Sequence, residues 1–199
     1  MHNTYAHTLV AAPASLAVTN AEMENHARAL GQASAQYALY IGAAQAWVER
    51  AYGRKLITQT WKMFLDGWPC SDRILLPFGQ LTSVAYVKYY DSAGSAAATF
   101  SDTSWEISTA REPGVLALSY QASWPTVTLR VLDPVEVQFV CGWATAGAVP
   151  ADIRNAILLV AAHLYEHREE VVLGNQAAVD SKALEMGARA LLVNWRLDV

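Results

Sequence analysis

The spacing of apolar residues changes twice along the chain. It runs in threes and fours up to Gly53, in twos from Leu56 to Trp143, and in threes and fours again from Pro150. The first helical signal is TNAE. Thr19 stands where an N-cap belongs and Glu22 follows three residues later, a capping box that satisfies two otherwise orphaned backbone donors. This helix is expected to end near Gly31. A longer one is predicted over Ser34–Tyr52, where Tyr37, Tyr40, Ile41, Ala44, Trp47, Val48 and Ala51 make one buried face. Gly53 then supplies a left-handed cap.

In ITQTWKMFLDGW the residues Ile57, Trp61, Met63 and Leu65 share a face, opposite Thr58, Thr60, Lys62 and Asp66. VEVQFVCGW repeats the device, with Val135, Val137, Phe139, Cys141 and Trp143 on one side and Glu136 and Gln138 on the other. Between these runs RILL, SVAYVKYY, ATF, WEIS and GVLAL read as strands, separated by the turn signals DSAG, REPG and SWP. Together they predict an antiparallel β module with too many strands for a hairpin.

The stretch VPADIRNAILLVAAHLYEHREEV opens a third helix, with Pro150 at its start and Asp152 where the helix dipole favours an acid. Ile153, Ile157, Val160, Leu164 and Val171 form its apolar stripe. A last helix is predicted over Asp180–Leu197, and it carries two apolar rows: Leu184, Ala188, Leu191, Trp195 and Met186, Ala190, Val193, Leu197. At 100° per residue these rows lie roughly 155° apart, and Lys182, Glu185, Arg189 and Arg196 gather on one arc between them. A surface helix needs only one apolar stripe. The second implies a neighbouring subunit, or else complete burial.

The economical fold is therefore α+β: a small helical bundle of two N-terminal and two C-terminal helices, with an inserted antiparallel β module. The expected boundaries are an N-terminal arm over 1–18, a discontinuous bundle over 19–54 and 148–199, and the β module over 55–147. Three consecutive independent units would leave each terminal helix pair with too little core.

Composition narrows the function. Apolar residues make up 53% of the 199 and charged residues 16%, which excludes a disordered chain. The net charge is −4 with no run of Lys or Arg, which argues against a protein that grips nucleic acid by its phosphates. Seven tryptophans and nine tyrosines suit either a core or a subunit interface. Cys70 and Cys141 lie far apart and read as buried free thiols. LVAAPASLAV has no preceding Lys or Arg and is broken by Pro13, so a secretory signal is not expected. Nor is any segment long enough to span a bilayer.

Candidate chemistry is sparse. HLYEH, His163 to His167, fits the H-x-x-E-H pattern of one class of zinc peptidases. Its histidines stand one helical turn apart, with Glu166 as a potential base. Catalytic zinc needs three protein ligands, and Glu169, Glu170 and Glu185 are candidates by type without support from spacing. The helical wheel accounts for both histidines as flanks of the apolar stripe, so no metal site, catalytic residue or cofactor is assigned. Trp61, Trp68, Trp105, Trp124 and Trp143 could make a sugar-binding platform, though tryptophans filling a β core explain them more simply.

The ordered strings YGRKLITQTW, LPFGQLTSVAYVKYYDSAG, REPGVLAL, SWP, VQFVCGW and VPADIRNAILLVAAHLYEHREEV resemble the head–tail connector (adaptor) proteins of long-tailed bacteriophages and gene transfer agents. The resemblance, to the type with a β insertion in a helical core, covers about Val18 to Val171. It implies a structural virion protein at the head–tail junction, made in the host bacterial cytoplasm, and not an enzyme. It further implies a ring, commonly dodecameric, that binds the portal on one side and a tail-completion (stopper) protein on the other. DNA would pass through the channel without sequence-specific binding. The expected subunit or portal interface is Leu184, Ala188, Leu191 and Trp195 with Arg189 and Arg196. A zinc-dependent hydrolase and a carbohydrate-binding module are the alternatives.

Overall fold

The computed structural model describes residues 6–27, 34–93, 96–166 and 187–197. They form an α+β fold of two compact units, a helical bundle with an inserted antiparallel β module. One unit draws on Ala14–Ile57 and Trp143–Asp198, the other on the residues up to Pro13 together with Thr58–Gly142.

The helical unit contains α1 (Asn20–Ala27), α2 (Ser34–Tyr52) and α3 (Ala151–Glu166). Residues 187–192 are also helical, and a single 3-10 turn, Val193–Trp195, follows them. The capping box forms as the sequence predicts: Thr19 N donates to Glu22 Oε2 at 2.8 Å, and Glu22 N donates to Thr19 Oγ1 at 3.2 Å. The other carboxylate oxygen, Oε1, pairs with the Arg154 guanidinium, so one glutamate caps α1 and ties it to α3.

Tyr37, Ile41, Ala44 and Val48 of α2 pack with Ile153, Ala156, Ile157 and Ala161 of α3 in one fully buried cluster. At roughly 1.5–3 kcal/mol for each large apolar side chain, these rows supply a substantial share of what holds the unit together. Two details depart from the wheel. Ala51 is exposed, while Gln45 is buried. Gln45 is tolerated there because its amide is used at both ends: Oε1 accepts from Ala17 N at 2.9 Å, and Nε2 donates to Glu49 Oε1 at 3.1 Å. Gly53 has φ +65, the left-handed cap expected of it.

In the β unit a five-stranded antiparallel sheet runs β1 (Ala6–Ala11), β2 (Gln59–Leu65), β8 (Val135–Cys141), β4 (Leu81–Tyr89), β5 (Ala98–Phe100). A three-stranded sheet is ordered β3 (Arg73–Leu76), β7 (Gly114–Leu118), β6 (Trp105–Ser108). Both sheets turn apolar residues to one core, with Met63, Leu65, Val87, Val135, Val137 and Phe139 from the larger and Ile74, Leu76 and Leu116 from the smaller. Gly114 is required where they meet, since a Cβ there would lie 2.5 Å from the Cβ of Leu81.

The strand runs read from period two all form. One strand went unread: residues 6–11, expected as part of an arm, pair with β2 from Ala6↔Phe64 to Ala11↔Thr60. AHTLVA is short and uncharged, and its partner lies some fifty residues away, so local pattern gives little warning of it. Cys70 also differs from expectation. It is exposed, and only Cys141 is buried.

Candidate functional site

The C-terminal segment carries the residues expected to face a neighbour. The end of α2 fixes its course. Leu197 N donates to Tyr52 O at 3.1 Å, and Arg54, which is buried, donates from Nε to the Trp195 carbonyl. The Arg54 guanidinium also lies 5.5 Å from the centre of the Trp195 ring. Trp143 meets that indole edge-on at 6.2 Å. A buried cation with both a carbonyl and an aromatic face is well compensated.

This docking divides the two apolar rows. Ala188 is fully buried, and Leu191 and Trp195 pack half-buried against the unit's own core, as does the fully buried Leu192. The row containing Ala188, Leu191 and Trp195, expected at a subunit or portal interface, thus serves the protomer first. This is a correction for Ala188 above all, which has no surface left for a partner. On the other row Ala190 is exposed and Val193 is 67% exposed, with exposed Arg189, Asn194 and Arg196 beside them. Leu184, Met186, Lys182 and Glu185 lie outside the described residues.

The peptidase-like motif is only half in view. His163 is half-buried and Glu166 exposed at the end of α3, while His167, Glu169, Glu170 and Glu185 lie outside the described residues. Among the described residues, no three His, Cys, Asp or Glu side chains gather as a metal-binding group.

The five tryptophans do not share one surface. Trp143 belongs to the helical unit. Trp68 and Trp124 stack on each other at 4.9 Å, with Phe100 against both and the Trp124 Nε1 donating to Ser71 O at 2.9 Å. Trp61 packs on Phe78 at 4.8 Å. In the β unit these rings are core filling, joined to its apolar cluster.

One polar cluster was not anticipated. Glu136, on the outer face of the larger sheet, is only 6% exposed. It accepts from Tyr86 Oη at 2.5 Å and Tyr90 Oη at 3.2 Å, and pairs with Lys62 Nζ at 2.9 Å. Burial alone would raise its pKa. The hydrogen bonds from Tyr86 and Lys62, with the Lys62 charge, outweigh that and hold the carboxyl below its ordinary value. Lys62 is raised in turn, chiefly by its bond to Glu136. Tyr86 is raised by burial and then by the carboxylate. Lys88 and Arg130 lie over the Tyr86 and Tyr90 rings at 4.2 and 3.7 Å. The arrangement ties β2, β8 and β4 together. Strand alternation could place Glu136 on the outer face, but not reveal that residues from other strands close over it.

No protein-family model and no curated protein matches the chain. Solved structures do. A chain in the virion of a native gene transfer agent particle has a TM-score of 0.77 at 24% identity, over 97% of this chain and 96% of that one. A chain in the neck of the empty particle, with C6 symmetry, gives 0.77 at 24% identity over 98% and 96%. One in the neck of the native particle, with C12 symmetry, gives 0.73 at 25% identity over 98% and 96%. The chain shares its fold with gene transfer agent neck chains. The neck fold accounts for helices and β module alike, because the match runs nearly end to end in both partners.

Proposed function

We propose that this chain is a structural virion protein of the neck: an adaptor that forms a ring between the portal and the tail of a gene transfer agent or phage-like particle. The observation that carries this reading is the near full-length likeness to neck chains, one of them in a neck with C12 symmetry. A ring is a heterologous assembly, in which one patch of each copy meets a different patch of the next. It needs repeated moderate contacts and no pocket. The net charge of −4 suits a channel through which DNA slides without being held.

The function is geometric, with no turnover: stacked symmetric rings attach tail to head and leave a passage open. The row of Ala190 and Val193, flanked by Arg189 and Arg196, is the part of the C-terminal segment we assign to a neighbouring copy or to the portal. Its two arginines would meet carboxylates there, and its apolar pair would add buried area.

Electron micrographs of the purified protein, alone and mixed with portal, test the reading. Rings in either sample are the expected result. A protein that stays monomeric in both would overturn it.

A further inference from the structure

We propose that β1 is an assembly edge, completed by an edge strand from the sheet of a neighbouring copy. The inference deepens the ring reading and rests on it. Among the described residues β1 pairs only with β2, so its other side presents unpaired backbone donors and acceptors. Five of its six residues are exposed, Leu9 at 43% and Val10 at 48%.

Proteins that keep such an edge in water blunt it with lysine, proline, a β-bulge, a very short strand or a covering element. Within Ala6–Ala11 there is no charge and no proline. Its one such device is the register shift between Leu9 and Ala11, which leaves Val10 without a partner on β2. With that bulge as its one protection, an uncharged edge with exposed Thr, Leu and Val still offers the backbone of Ala6–Leu9 as a template for strand addition.

The chemistry of the occupant follows from the sheet order. A head-to-tail contact needs two different patches on each copy, and the larger sheet ends in two unlike edges, β1 and the three-residue β5. The smaller sheet adds two more, β3 and β6. The chain thus carries both halves of an edge-to-edge joint. The occupant we assign is a second copy, placed so that the joint repeats around the ring.

The test combines hydrogen exchange with one charged substitution in the full chain. In the assembled wild type, alone or on portal, amides of 6–11 are expected to exchange about tenfold or more slowly than in the free protomer. The same should hold for one of β5, β3 or β6, which identifies the joint. Val10→Lys is expected to leave the melting temperature unchanged while raising the concentration for half-assembly about tenfold or more. Assembly of Val10→Lys at the wild-type concentration, with β1 amides no slower than in the protomer, would sink this inference and leave the ring reading standing. Closed dimers joined β1 to β1, without rings, also count against it. If the wild type never assembles, even with portal, the ring reading itself falls and takes the edge with it.

Discussion

The helical unit and the β unit keep their polar groups in different places. In the helical unit these groups work chiefly at element ends, with Gln45 inside α2 the exception. Thr19 and Glu22 cap α1, and Arg54 donates to the Trp195 carbonyl in the C-terminal turn. That is where a helix leaves backbone groups unsatisfied. In the β unit the principal polar cluster sits mid-sheet, on Glu136, and joins three strands. The β unit also contains Phe78, Gly79 and Gln80 in succession at φ 77, 64 and 40. A phenylalanine there is strained, and its ring is held by Trp61 at 4.8 Å and His7 at 5.2 Å. The lesson is that the bundle is built from local rules reinforced at their ends. The sheets depend on partners brought from far along the chain.

Substitutions in the two cores give the largest expected effects. Phe139→Ala, at the centre of the β unit, should cost about 3–5 kcal/mol, and Ile157→Ala in the bundle about 2–5 kcal/mol, both read by chemical denaturation. A much smaller cost in either unit would show that its core is looser than the burial implies.

The C-terminal rows sharpen the comparison within one segment. Trp195→Ser should destabilise the protomer by about 2–4 kcal/mol. Val193→Ser should change it by no more than about 0.5 kcal/mol while weakening assembly. Equal effects on protomer stability would erase the distinction between inward and outward rows.

Glu136→Gln should cost about 1–3 kcal/mol, because Lys62 loses its counter-charge and the two tyrosine hydroxyls lose a charged acceptor. The sign with pH follows from the depressed carboxyl. Its contribution is present above the ordinary carboxylate pKa and is lost as pH falls through the lower folded value. The gap between wild type and Glu136→Gln should therefore narrow in acid, and a gap that widened would refute the assignment. The smallest effect is expected at the cap, where Thr19→Ala should cost about 1 kcal/mol, measured by thermal unfolding of the full chain.

The periodicity of α2 and α3 was legible because each turn of a helix repeats the same demand on nearby residues. Period two likewise exposed β2 to β8. The candidate interface was legible only as two rows on one helix. Arg54 and Tyr52, well over a hundred residues upstream, fix which row turns inward, and no spacing within the last helix records that.

By itself, the sequence determined the span of α2, the cap at Thr19, the left-handed Gly53, the alternation of the strands and the α+β architecture. These follow from steric and hydrogen-bonding preferences over a few residues. Tertiary structure alone decided that AHTLVA becomes a sheet edge, that Glu136 is covered, that Trp68 and Trp124 stack together, and that Ala188 faces inward. Each depends on a partner far away in sequence, and contact between distant segments exists only once the chain has closed on itself.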